Sequence, residues 1–260
     1  MRTPKNQRPS FSKADNTLQL SAPRSWKELS QEQLRYVLRL LWTESEPVAV
    51  KTLMFFRLTG LQVVGHLRHG VRCCVRHGAE VSTVNIMSWQ VQQLMHQFDY
   101  IDTPDGMDVR LESVRGCKAV DVVFHGMSFG DWLQCEKYYQ AFLHSKDQRM
   151  IDKLGQLLYR KEDGEAADPW TLDEAERACC FFWVSHVKKI FASQFTHFFK
   201  PASDSSGVGF VQSMNAQIRA LTGGDITQEY RVLQCDCWRA LTELNEKARE
   251  AEEFEKKYGK

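Results

Sequence analysis

At 260 residues, with 43% apolar and 26% charged side chains, the chain can bury a real core as one large domain or one to two smaller ones. Lys and Arg number 34 against 33 Asp and Glu, so the net charge of +1 gives no whole-chain field toward nucleic acid or an anionic membrane. Any such affinity must be local. No apolar run approaches the roughly 18–20 residues of a membrane span, and residues 1–15 are basic and polar with no apolar run behind them. The expectation is a cytoplasmic protein with no membrane partner. Eight cysteines, two adjacent pairs and one C-x-C among them, form no C-x-x-C and read as reduced thiols acting as small hydrophobes.

In chain order, residues 1–16 carry Arg2, Lys5, Arg8 and Lys13 among polar residues and read as a flexible basic tail. A short extended segment over 17–20 follows. Ser30 with Gln33 gives a capping-box pattern for a first helix, with Leu34, Val37, Leu38 and Leu41 on one face. Pro47 suits the first position of a second helix, which stops at Gly60. Residues 71–75 and 81–86 are β-branched-rich runs around 76–80, which predicts a small hairpin. Ser88 can cap the next helix, through Val91, Leu94, Met95 and Phe98. The turn-rich stretch to residue 126 offers short strands near 109–111 and 119–124.

Helical periodicity returns at Ser128 with an aromatic stripe of Phe129, Trp132, Leu133, Tyr139 and Phe142, and then Ile151, Leu154, Leu157 and Leu158. Residues 161–170 read as a loop or linker. Thr171 with Glu174 signals a long helix ending near Phe199, followed by a helix over 208–221 that ends at Gly223-Gly224. Over 225–260, Ile226, Tyr230, Leu233, Cys237, Leu241, Leu244, Ala248 and Ala251 step by threes and fours, a near-heptad seam on one long C-terminal amphipathic helix. The predicted fold is mainly α: a bundle-like helical domain over 17–160 with a small inserted β-hairpin, a helical region over 171–224 packed on it, and the C-terminal helix.

Four constellations bear on chemistry. His66-x-x-His69, Cys73, Cys74 and His77 are zinc-ligand types. No finger spacing fits them, they straddle a predicted helix-to-strand change, and the interleaved arginines oppose a cation. Packing groups on a solvated basic turn are the better reading, with no metal expected. The same stretch concentrates positive charge at Arg57, Arg68, Arg72 and Arg76; Arg68, Arg72 and Arg76 are the candidate nucleic-acid contacts, and a charged solvent-facing hairpin is the plain alternative. Between Cys179 and Phe199, seven aromatic rings cover most of a helix circumference, which favours a buried core helix over a partner-facing one. Gly223-Gly224-Asp225 precedes a helix N-terminus but lacks the strand and the Lys-Ser/Thr of a phosphate loop, so it reads as a helix-to-helix corner. No hydrolase, zincin, kinase or dinucleotide fingerprint appears, and neither catalysis nor a cofactor is expected.

Three segments carry a resemblance. One is Ser25-Trp26-Lys27-Glu28-Leu29-Ser30 leading into Glu32-Gln33-Leu34. The second combines Phe129-Gly130-Asp131, Glu136-Lys137-Tyr138-Tyr139-Gln140 and Leu157-Leu158-Tyr159-Arg160. The third is Asn215-Ala216-Gln217-Ile218-Arg219-Ala220-Leu221-Thr222-Gly223-Gly224-Asp225-Ile226-Thr227. Across residues 20–235 the chain resembles uncharacterised proteins encoded in prophages and other mobile elements of Bacteroidota, presumed to sit near tail or assembly genes. The resemblance carries no catalytic residues and implies an assembly, chaperone-like or structural accessory role.

The expected function is thus a non-enzymatic interaction or assembly protein of a phage or mobile element, with a protein partner or self-association. Tyr230, Leu233, Leu241 and Leu244 on the C-terminal seam are the candidate partner surface. The alternative is a nucleic-acid-binding accessory protein using the Arg68–Arg76 region.

Overall fold

In the computed structural model, residues 10–12, 17–77, 80–162, 164, 170–200 and 210–259 are described. Among them, nine α-helices outweigh eight short strands, so the fold is mainly α with small antiparallel sheets. The chain divides into two compact units. Unit 1 comprises residues 1–109 with Glu174–Ala178; unit 2 comprises Arg110–Asp173 with Cys179–Lys260.

Of the predicted tail, β1 (Ser10–Ser12) pairs antiparallel with β2 (Thr17–Gln19), Phe11 opposite Leu18, so this piece is strand rather than tail. Residues 1–9 and 13–16 lie outside the described residues. Helix α1 (Gln31–Thr43) begins at a complete capping box: Ser30 Oγ accepts from the Gln33 amide, and Gln33 Oε1 accepts from the Ser30 amide. Both would otherwise be orphan donors of the first turn, so Ser30→Ala is expected to lower stability by about 1 kcal/mol. An unchanged urea midpoint would contradict that role. Pro47 opens α2 (Pro47–Thr59), and Gly60 ends it at φ 73°, a left-handed cap that favours glycine. Leu34, Val37, Leu38, Val50, Met54 and Phe55 bury the apolar stripes of the two helices.

Beyond Gly60 the structure adds a strand to the predicted hairpin. β3 (Gln62–Leu67), β4 (Gly70–His77) and β5 (Glu80–Met87) form an antiparallel three-stranded sheet in that order. The predicted helix-to-strand change between His66 and Cys73 is therefore a strand-to-strand turn. Helix α3 (Ser88–Met95) follows directly. Ser88 is its first residue rather than its cap, and Gln90 Oε1 accepts from the Met87 amide instead.

In unit 2, the strands expected near 109–111 and 119–124 are displaced to β6 (Ser113–Val114) and β7 (Cys117–Ala119). With β8 (Tyr159–Arg160) they make a second three-stranded antiparallel sheet. Ser128 caps α4 (Phe129–Ser145), its Oγ accepting from the Asp131 amide, and α4 packs on α5 (Gln148–Leu158). The 161–170 linker lies largely outside the described residues. Helix α6 (Glu174–Gln194) stops five residues before Phe199. Trp183, Val187 and Phe191 on it are buried, so the aromatic helix is core. Phe124, Trp132, Tyr159, Trp183, Phe191 and Trp238 meet at centroid distances of 4.8–6.2 Å, edge to face except for the tilted Phe124–Trp132 pair.

The predicted single C-terminal helix is interrupted. After α7 (Phe210–Thr222), Gly223 and Gly224 turn the chain at positive φ, the expected corner, and Asp225 starts a 3-10 turn at Ile226–Gln228. Then α8 (Glu229–Gln234) ends at Cys235, and α9 (Cys237–Tyr258) begins afresh. Asp236 causes the break: its carboxylate accepts from the amides of Trp238 and Arg239, and from that of Gly126 at 2.7 Å.

A candidate nucleic-acid interface on the β3–β4–β5 sheet

Strand residues alternate between faces, and directly opposed residues share one. On β4, Cys73 and Val75 are buried, with Ile86 of β5 on the same side. Arg72 and Arg76 therefore lie on the opposite, outer face and are exposed. Arg72 stands opposite Asn85 on one side and Gly65 on the other; Arg76 stands opposite Val81. Asn85 Oδ1 accepts from Arg72 Nε at 3.3 Å. Gln62, Thr83 and Asn85 share that exposed face, together with the apolar Val81 and Met87 and the half-buried Cys74. A shift of register between Val63 and Gly65 bends β3 at its middle.

Arg68 and His69 form the turn between β3 and β4 and are both exposed. The sequence from 61 to 87 contains these three arginines, three histidines and one acidic residue, Glu80. Among the described residues, none of Arg68, Arg72 and Arg76 sits in an ion pair. Arg35, Arg149, Arg160 and Arg249, by contrast, each reach a carboxylate within 3.0 Å. The three candidate nucleic-acid contacts are thus on one sheet, solvated and uncompensated.

The four candidate partner residues separate. Tyr230 is 74% exposed on α8 and Leu233 is half-buried. Leu241 and Leu244 are in the core of unit 2, so they are withdrawn from the surface on which the sequence pattern put them. The reason is general: a seam stepping by threes and fours marks what is buried, and here it is buried inside the chain.

The zinc-type residues do not converge. His66 and His69 are exposed, Cys73 faces the core and Cys74 the outer side; the His77 side chain lies outside the described residues. No group of three His, Cys, Asp or Glu among the described residues is placed to hold a metal ion. No disulfide joins any of the eight cysteines. Burial pushes the Cys73, Cys135 and Cys235 thiols up, and that of Cys237 to about 12, which disfavours the nucleophilic thiolate.

Two cavities of unit 2 bear on the question of a site. A polar cleft of about 640 Å³ collects Asp121, His125, Asp131, Arg160 and Asp236. Its carboxylates are engaged structurally: Asp121 accepts from the amides of Val123 and His125, Asp131 pairs with Arg160, and Asp236 caps α9. The other, an open apolar groove of about 590 Å³, runs between α4, α7 and α9.

Beside that groove, the 196–199 turn is tied to α9. Asn245 Oδ1 accepts from the His197 and Phe198 amides, while Glu252 meets Lys200 at 2.6 Å and His197 at 3.3 Å. Lys200 chiefly, and His197 with it, hold the Glu252 carboxyl below its ordinary 4.5. A lowered folded value means the tie is present above pH 4.5 and is lost as pH falls through the folded value. The melting-temperature difference between the protein and Glu252→Gln should accordingly shrink with acidification below pH 4.5. A pH-independent difference would contradict the tie.

No helix among the described residues is long and apolar enough to cross a membrane. No protein family, no curated protein and no solved structure matches the chain.

Proposed function

We propose that this chain is a non-enzymatic accessory protein of a phage or mobile element that binds nucleic acid through the outer face of the β3–β4–β5 sheet, in the cytoplasm. The mobile-element setting is what the resemblance implies. The observation that carries the binding reading is the set of exposed Arg68, Arg72 and Arg76, none in an ion pair among the described residues, on a sheet with one acid in residues 61–87. Phosphate contacts supply most non-specific affinity for nucleic acid, and their strength falls steeply with salt. With a net charge of only +1, affinity has to come from such a local patch. The test is retention of the protein on immobilised DNA or RNA at low salt, with release as salt rises. Arg68→Ala/Arg72→Ala/Arg76→Ala should abolish retention while leaving the urea midpoint within about 0.5 kcal/mol, as for other surface changes. Absence of retention at low salt refutes the reading.

A second reading, assembly through protein contacts, is favoured by a different observation. Phe254 and Tyr258 at the end of α9 are 65% and 59% exposed, with ring centroids 4.8 Å apart. Aromatic pairs left in water are common interface anchors. This reading places the partner surface at the tip of α9 and at Tyr230, not at Leu241 and Leu244. Truncation after Gly224 is no test, since it would remove the core residues Cys237, Ala240, Leu241 and Leu244. Phe254→Ser/Tyr258→Ser is: a drop in the oligomeric mass measured by sedimentation supports assembly, and a monomer before and after the change removes self-association.

A further inference from the structure

Trp89 is 63% exposed on the first turn of α3. Its place is set by the sheet. The Ser88 amide donates to the His69 carbonyl at 2.9 Å, and Gly70 stands opposite Met87. The start of α3 is thereby fixed against the turn that carries Arg68 and His69. Gly70 is what permits so close an approach, because a Cβ there would lie 2.2 Å from the Ile86 carbonyl oxygen. An exposed indole thus follows directly on the residue whose amide is held by the turn of Arg68 and His69. Arg72 and Arg76 continue along β4, about 13 Å apart at ~3.3 Å per residue.

From this juxtaposition we infer that the ligand of the sheet is single-stranded nucleic acid, with Trp89 as the platform for an unpaired base and Arg68, Arg72 and Arg76 as contacts to its phosphates. The inference rests on the nucleic-acid reading above and specifies its substrate. An indole can stack only on a base whose face is free. In a duplex both faces of every internal base are covered, and sequence is read instead at groove edges, by an inserted helix or a two-stranded ribbon. A sheet face with a basic track and an aromatic ring is the arrangement that follows a single strand, tolerant of sequence because every base has a π-face. An acidic polypeptide would satisfy the arginines and give Trp89 nothing to stack on, so it predicts binding indifferent to that ring.

The test uses the full chain and fluorescence anisotropy at low salt. The probes are a labelled oligothymidylate of about 20 nucleotides, longer than the roughly 4–16 that an OB fold covers, a duplex of equal length, and polyglutamate. The expected result is tighter binding to the single strand than to the duplex by about tenfold or more, roughly one stacked base. Trp89→Ala should lose about that factor on the single strand only, and Trp89→Phe should retain most of it. Because Trp89 is exposed, both variants should keep the parent melting temperature. Equal affinity for strand and duplex, or full affinity in Trp89→Ala, overturns the single-strand inference and leaves the nucleic-acid reading standing. Binding to polyglutamate but to neither nucleic acid, or to none of the three probes, overturns both.

Discussion

Trp183→Ala is expected to lower the stability of the protein by about 3–5 kcal/mol, the range for deleting a buried tryptophan from a core. Trp183 has no exposed surface, and its indole Nε1 donates to the Val122 carbonyl at 2.7 Å. It also meets Phe124 at 5.5 Å and Tyr159 at 6.2 Å, each edge to face. Phe124 adopts φ 67°, a conformation disfavoured for a bulky side chain, and its ring is buried between Trp132 and Trp183. Removing the indole opens a cavity, orphans the Val122 carbonyl and frees Phe124 from the contact that holds it in place. Trp183→Phe would restore part of the volume without the N–H and should fall between the two. A urea midpoint for Trp183→Ala within about 1 kcal/mol of the parent would mean that the aromatic cluster does not close around this ring.

The second large effect is at Gly70, where any side chain drives β4 away from β5. A Cβ would lie 2.2 Å from the Ile86 oxygen and 2.9 Å from the Met87 Cα, both backbone atoms that no rotamer change can move. Gly70→Ala should cost about 1–3 kcal/mol, as overpacking does. Its distinctive consequence is local. The Ser88-to-His69 hydrogen bond lies at the same end of the sheet, so hydrogen exchange at the Ser88 amide should accelerate, and nucleic-acid affinity should fall although no charge is lost. Parental stability together with parental exchange would show that the two strands do not approach this closely.

Local signals in the sequence located the elements whose ends they control. Ser30 with Gln33, Pro47 and Gly60 each act within one helical turn of themselves, and α1 and α2 begin and end where those residues demand. The Gly223-Gly224 corner is legible for the same reason. Non-local devices were not legible. β3 is not legible because the irregularity at Val63–Gly65 breaks the alternation by which a strand is recognised. The break at Cys235–Asp236 is hidden because the apolar spacing of Leu233, Cys237 and Leu241 runs through it unchanged, while one of the amides held by Asp236 belongs to Gly126, 110 residues earlier.

The candidate site was half legible. The spacing of Arg72 and Arg76 on a β-branched run predicts two cations on one face, and the sheet puts them there. Trp89 is not legible as part of the site, since a tryptophan in an amphipathic stretch reads as core, whereas here it is exposed one residue after the Ser88 amide that the His69 carbonyl holds. The opposite error befell Leu241 and Leu244. Their periodicity is real, and the face it marks is filled from within unit 2.

The central claim, that Arg72 and Arg76 of this sheet meet phosphates, is tested most directly by the salt dependence of oligothymidylate binding. On a single strand each phosphate contact contributes roughly −0.7 to the slope of log affinity against log salt. Removing two contacts in Arg72→Ala/Arg76→Ala should flatten the slope by about 1.4. A slope identical in the parent and the double variant would contradict the account.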